Sequence, residues 1–264
     1  MNVKVIIATH KKYEMPKDDM YIPVHVGAEG KKSIGYVGDN SGENISTKNP
    51  QYCELTGLYW AWKNLEADYY GLAHYRRHFK GKKKSKNLFE QILSKEEVIK
   101  LAQNSKIIVP KKRKYYIETL YSHYAHTHYA EHLDITREII SEKYPEYVKA
   151  YDEVVKQTYG HMFNMMIMEK SFYNDYCQWL FDILFELEKR VPAQELSAFQ
   201  NRFYGRVSEI IFNVWLKYQI DNGNVKKNEV VEVPCMHMEK IDWIKKGTSF
   251  LKAKFFSKRY EGSF

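Results

Sequence analysis

The chain reads as an α/β protein, a Rossmann-type sheet flanked by helices and followed by a helical C-terminal half. Three observations carry that reading. Short apolar or β-branched runs at residues 3–8, 21–26, 69–73, 106–109, 161–168 and 230–233 alternate with stretches of helical period. The run at 3–8 is β-branched and, from Val5 to Ala8, continuously apolar, as a strand buried on both faces is. The 264 residues are 44% hydrophobic and 28% charged, which is enough apolar chain for one substantial core.

The first run ends at Thr9, His10 and Lys11 and enters a polar loop. In open α/β sheets ligands sit beyond the carboxyl ends of strands, so these three are candidate site residues. Residues 27–49 form a long loop punctuated by glycines, but without the glycine spacing of a phosphate-cradling loop. Asn49 and Pro50 have the chemistry of a helix cap and a first helical position. The following helix is expected to bury Leu55, Leu58, Tyr59, Trp62 and Leu65, leaving Glu54 and Ala61 off that stripe. Glu54, early in the helix, suits the dipole.

Residues 69–73 read as a strand delivering His74, Tyr75, Arg76 and Arg77 at its end. The lysines of residues 80–86 read as a solvated loop. Residues 88–104 read as a helix, and 117–143 as one long helix carrying His123, His126, His128 and His132. Pro145 interrupts it, and a second helix runs to about residue 157. The run HMFNMMIM at 161–168 is a strand broken by the polar Asn164, and Ser171 is expected to cap the next helix. A polar, irregular segment at 195–204 precedes a last core helix, residues 206–218, which opens with Arg206 and Glu209. Residues 1–239 form one domain, and 240–264 a basic amphipathic tail that suits either an anionic membrane face or packing on the body.

Composition narrows the function classes. A net charge of +8 and 22 tyrosines favour an anionic partner with rings to stack against. The basic residues are dispersed and form no helix-turn-helix, RNA-recognition or zinc-finger pattern, which argues against nucleic acid. Three scattered cysteines without a CxxC pair argue against a disulfide scaffold. The N-terminal apolar run is too short for a signal peptide and no window spans a bilayer, so a cytoplasmic location is expected.

Asp39, His74, Arg76 and Arg77 together suit a nucleotide diphosphate, because arginine forks bind phosphate oxygens and remain charged. Such arginines would oppose the charge that develops on a diphosphate leaving group. A transfer that inverts also needs a base for the acceptor hydroxyl.

Asn44 to Ser46 (NIS), ELTGLYWAWKN at 54–64 and GLAHYRRHF at 71–79 resemble the signature of a bacterial family of capsule and exopolysaccharide glycosyltransferases known as domain of unknown function 4422. The likeness continues through the FNMMIM, YCQWLF and GRVSEIIFNVWL stretches and so covers nearly the whole chain. It implies a GT-A-like fold and transfer of galactose or galactofuranose from a UDP-sugar to a lipid-linked, growing glycan, with peripheral contact at the inner membrane face. In that scheme the strand ending in His74-Tyr75-Arg76 would carry an Asp-x-Asp that binds a divalent metal. The departure implies no metal cofactor, with Arg76 and Arg77 as the counter-charge. The resemblance also makes Glu209 a candidate catalytic base, with Asp39 as the alternative. Thr9, His10, Lys11, Asn44, His74, Tyr75, Arg76, Arg77, Asn164 and Arg206 become candidate donor-binding residues, and His128 and His132 acceptor-binding ones.

A competing reading rests on His128-Tyr-Ala-Glu131-His132, the HxxEH spacing of a zinc peptidase helix, with Glu209 or Glu195 as a further ligand. A non-catalytic binder of nucleic acid or glycan is the third class.

Overall fold

The computed structural model describes residues 1–191 and 196–239. Its strands are β1 (Val3–Thr9), β2 (Tyr21–His25), β3 (Val37–Gly38), β4 (Tyr69–His74), β5 (Arg77–Phe79), β6 (Ile107–Pro110), β7 (Arg113–Lys114), β8 (Tyr159–Gly160), β9 (Met166–Glu169), β10 (Val230–Val233) and β11 (Cys235–His237). Nine of them form one sheet, whose main path runs β10-β6-β9-β4-β1-β2-β3. Along that path β9 alone runs against its neighbours, and every other pairing is parallel. The carboxyl ends of β1, β2, β4 and β6 and the start of β9 therefore meet along one edge. The short β5 and β11 pair with each other beside β4.

The helices are α1 (Asn49–Tyr52), α2 (Leu55–Asn64), α3 (Lys95–Ala102), α4 (Leu120–Thr127), α5 (Glu131–Lys143), α6 (Val148–Val154), α7 (Lys170–Arg190) and α8 (Phe203–Asp221). Alternation along β1 sends Ile6 and Ala8 to a large helical core shared with α2, α7 and α8. Val5 and Ile7 face a thinner core that contains Val98 of α3. Both faces are covered, which explains the apolar stretch Val5–Ala8 of β1. Two glycines set the closeness of the layers. A Cβ on Gly57 would lie 2.8 Å from Val26, and one on Gly71 would lie 2.8 Å from the Met166 carbonyl.

Several sequence expectations need correction. Asn49 does not cap; it lies inside the first turn, and its amide donates to the Cys53 carbonyl and the Thr56 hydroxyl. Cys53 takes a positive φ of 54° and splits the expected helix into α1 and α2. Helix α2 buries Trp60 and Ala61, while Tyr59 and Trp62 are half-buried, because it is clamped between the sheet and α7. The long helix at 117–143 is two helices. Thr119 starts α4 with a capping box, and His128, extended at φ −135°, ends it. Ser171 is no cap, since α7 begins at Lys170 and the Ser171 hydroxyl donates to Glu169. Among the described residues, no helix is long and apolar enough to cross a membrane. The tail, residues 240–264, lies outside the described residues.

Candidate functional site

A cavity of about 470 Å³ opens at the sheet edge where β1, β4 and β6 end and β9 begins, roofed by α4 and the start of α8. Its floor is a tight hairpin. His74 pairs with Arg77 across the turn, so Tyr75, Arg76 and Arg77 are all displayed at the strand mouth. Arg76 lies 5.3 Å from the Tyr75 ring and 3.6 Å from the Glu239 carboxylate. Arg77 packs over the Phe163 ring at 4.6 Å, and its buried Nε has no hydrogen-bond partner. Burial pulls the Arg77 pKa down, with the nearby Glu209 opposing that change.

The segment before β9 is strained. Phe163 and Asn164 both take positive φ, 75° and 53°, a conformation that costs about 1–3 kcal/mol at each non-glycine residue. Side-chain bonds hold it there. The Asn164 amide donates to Glu54 Oε1 at 2.7 Å and to the Gly205 carbonyl at 3.0 Å, and its carbonyl accepts from Ser208 at 2.8 Å. His74 Nε2 donates to the Phe163 carbonyl at 2.6 Å, which fixes its tautomer. Burial lowers the His74 pKa, which favours the neutral ring.

Glu209 reaches the cavity from the second turn of α8. Burial first and the Glu54 carboxylate second push its pKa up to about 7, against the pull of Arg206, Arg77 and Arg113. Arg206 stacks over Phe199 at 4.4 Å, with its buried Nε also unpartnered. Arg202 donates to Cys53 Sγ at 3.0 Å. Five arginines (76, 77, 113, 202 and 206) and two carboxylates, Glu54 and Glu209, line this one cavity. Such an arrangement can neutralise a polyanion beside a carboxylate poised to take a proton.

Of the sequence candidates, Thr9, His10, His74, Tyr75, Arg76, Arg77, His128, Arg206 and Glu209 line the cavity. Lys11 sits beside it, its ammonium 5.3 Å from the Tyr75 ring. Four others stand elsewhere. Asp39 is wholly buried, and its oxygens accept from the Gly27 and Ala28 amides and from the Ser46 and Thr56 hydroxyls. It is the tie-point of the glycine-rich loop, which corrects its candidacy as a base. Asn44 bonds locally, accepting from the Ser46 amide and donating to the Gly42 carbonyl, so it shapes a turn. Asn164 stands behind the wall and positions Glu54. His132 is buried with its Nδ1 2.9 Å from the Tyr124 hydroxyl and its ring stacked on Phe203 at 3.9 Å, which removes it from an acceptor groove.

The peptidase-like spacing also dissolves. His128 follows α4 and His132 belongs to α5, so the two do not share a helical face. The His128 Nδ1 meets Gln200 Oε1 at 2.7 Å. Among the described residues, no group of three or more His, Cys, Asp or Glu is placed to hold a metal. Glu195 lies outside the described residues.

Glu54, Arg113 and Arg202 also line the cavity without being candidates in the sequence, as does His123, which the sequence places only on a histidine-rich helix. Glu54 was explained there by the helix dipole alone. Arg113 was hidden in the KKRK run at 111–114, and Arg202 in an irregular polar segment.

A family model described as a domain of unknown function, DUF4422, matches residues 4–220. No curated protein matches the chain. Among solved structures, the apo structure of the bifunctional glycosyltransferase WbbM is similar, with a TM-score of 0.83 and 30% sequence identity. The likeness covers 91% of this chain and 46% of that one, so the chain spans less than half of the length of WbbM. The mixed sheet, reversed at β9 along its main path, is thus a glycosyltransferase fold, as the motifs implied, and the chain belongs to the DUF4422 family.

Proposed function

We propose that the chain is a glycosyltransferase that moves galactose or galactofuranose from a UDP-sugar to a lipid-linked, growing cell-surface glycan such as a capsule, exopolysaccharide or O-antigen. The observation that carries the reading is the excess of five arginines over two carboxylates in a cavity at the strand carboxyl ends. Buried arginine donors left without protein partners, at Arg77 and Arg206, suit phosphate oxygens. The fold shared with a bifunctional glycosyltransferase supports the same reaction class.

In this reading Arg76 and Arg77 hold the diphosphate, with Thr9 and His10 on the nucleotide side. The acceptor enters past α4, where His123 and His128 line the wall. Glu209 takes the proton from the acceptor hydroxyl as its oxygen bonds to the anomeric carbon. The bond from that carbon to the diphosphate breaks, and UDP departs with the charge met by the arginines. A carboxyl with a pKa of about 7 is partly ionised at neutral pH yet basic enough to hold the proton, which suits this role. The strand that would carry an Asp-x-Asp ends instead in His74-Tyr75-Arg76, so arginine replaces a divalent metal as counter-charge. The reaction would take place on the cytoplasmic face of the membrane, where a lipid-linked acceptor can be presented.

UDP release from a panel of UDP-sugars, with and without EDTA, tests this reading. Turnover of a UDP-galactose or UDP-galactofuranose donor that survives EDTA is expected. A strict Mn²⁺ requirement would sink the arginine argument, and stoichiometric zinc with peptidase activity would sink the reaction class.

A further inference from the structure

The segment between β6 and α4 carries residues 111–117, KKRKYYI, and only part of it serves the cavity. Arg113 and Tyr115 face inward to the cavity wall. Lys111, Lys112 and Lys114 are exposed on the outside. Tyr116 is 80% exposed and Ile117 61% exposed, and across the β7–β8 pairing Tyr159, opposite Lys114, is 40% exposed. These are three of the six large apolar side chains that stand exposed among the described residues, and they are gathered at one rim of the cavity. Tyr116 also takes a positive φ of 60°, a conformation that costs a bulky residue free energy. The strain is not offset by burial of the ring, which stands in solvent.

Lysines outnumber carboxylates around this apolar tip, where Glu232 pairs with Lys112. Lys112 lies 5.1 Å from the Tyr159 ring and 3.6 Å from Glu232, and Lys111 and Lys114 flank it. Lys156 is exposed on the neighbouring α6–β8 turn, whose Thr158 and Gln157 carbonyls accept from the Tyr115 and Leu120 amides. The underlying frame is firm. Buried Glu118 receives His123 Nδ1 at 2.8 Å and His126 Nδ1 at 2.6 Å, which pins the start of α4 beneath the exposed tip. Aromatic and aliphatic groups ringed by lysines match an anionic lipid surface, where rings settle at headgroup level and ammonium groups meet phosphate.

We propose that Tyr116, Ile117 and Tyr159, with Lys111, Lys112, Lys114 and Lys156, form a docking surface for an anionic membrane. Docking there would turn the α4 side of the cavity toward the bilayer, where a lipid-linked acceptor resides. The inference deepens the glycosyltransferase reading, but vesicle binding is measured without catalysis, so either can fail alone.

Co-sedimentation of the full chain with vesicles of phosphatidylcholine, alone or mixed with phosphatidylglycerol, tests it. Two variants, Tyr116→Ser/Ile117→Ser and Lys111→Glu/Lys112→Glu/Lys114→Glu, avoid every cavity-lining residue. Wild type is expected to bind the anionic vesicles selectively and less well at high salt. Each variant should bind about tenfold more weakly or worse, with donor-sugar hydrolysis in solution unchanged. Equal binding by wild type and both variants would assign any membrane affinity to another part of the chain and overturn the proposal. So would equal affinity for neutral vesicles, or absence of vesicle binding accompanied by a dimer in solution that the variants abolish.

Discussion

Two polar clusters flank helix α2, and they differ in what they leave unfinished. On one side, the Asp39 carboxylate collects two backbone amides and two hydroxyls and is fully buried. On the other, Arg77 and Arg206 keep buried Nε donors without partners, and burial, aided by the neighbouring Glu54 carboxylate, pushes Glu209 up to about 7. The first cluster satisfies itself and holds a loop. The second is completed only by something that enters the cavity. Unspent hydrogen-bonding capacity and a perturbed carboxyl, rather than polarity, separate a site from a structural network.

The contrast breaks most sharply at Asp39 and Arg77. Asp39→Ala would strand two amides and two hydroxyls in the core and should cost about 3–5 kcal/mol of stability, read by urea denaturation, while the folded fraction keeps turnover within severalfold. Arg77→Met should do the reverse. Its kcat/KM is expected to fall on the order of 10³-fold, with unfolding free energy unchanged or raised, because a desolvated cation is replaced by an apolar chain. An Arg77→Met protein that unfolds, or a stable but inactive Asp39→Ala protein, would erase the distinction.

Glu209 sharpens it next. If it is the base, kcat/KM should rise with pH through an acid limb near 7 as the carboxyl ionises. Glu209→Gln should lower kcat about 10²-fold with UDP binding retained. Its stability linkage has a definite sign. The folded pKa lies above the unfolded value, so the group favours the folded state fully below about pH 4.5 and loses that contribution as pH rises through about 7. At pH 8, Glu209→Gln should therefore be the more stable protein, by about 3 kcal/mol. Removing the neighbouring charge with Glu54→Gln should move the acid limb to lower pH. A limb that stays in place would show that Glu54 does not act on Glu209.

The alternating sheet order and the strand-end cluster at 74–77 were legible in the sequence because a strand aims the residues at its end, whereas Glu209 was legible only through the family resemblance. What was not legible depends on contacts between distant segments. Asp39 and Glu209 look alike in sequence, and only the approach of Gly27, Ala28, Ser46 and Thr56 shows that Asp39 is consumed. Glu54 reads in sequence as a dipole partner, and only its bond to Asn164, 110 residues away, ties it to the cavity wall. The HxxEH spacing assumed one helix, and a single extended residue, His128, voided it.

The mildest test sets two asparagines from the same candidate list against each other. Asn164 is buried, takes a positive φ and joins Glu54, Gly205 and Ser208, so Asn164→Ala should cost about 2–3 kcal/mol and also lower kcat by releasing Glu54. Asn44 bonds only to its own turn, at Gly42 and Ser46, and is partly exposed. Water replaces most of what its side chain supplies, so Asn44→Ala should cost no more than about 1 kcal/mol and leave kcat and KM where they were. If Asn44→Ala instead raised KM for the donor while the melting temperature held, the glycine-rich loop would itself reach the nucleotide, and the Asp39 cluster would belong to the site after all.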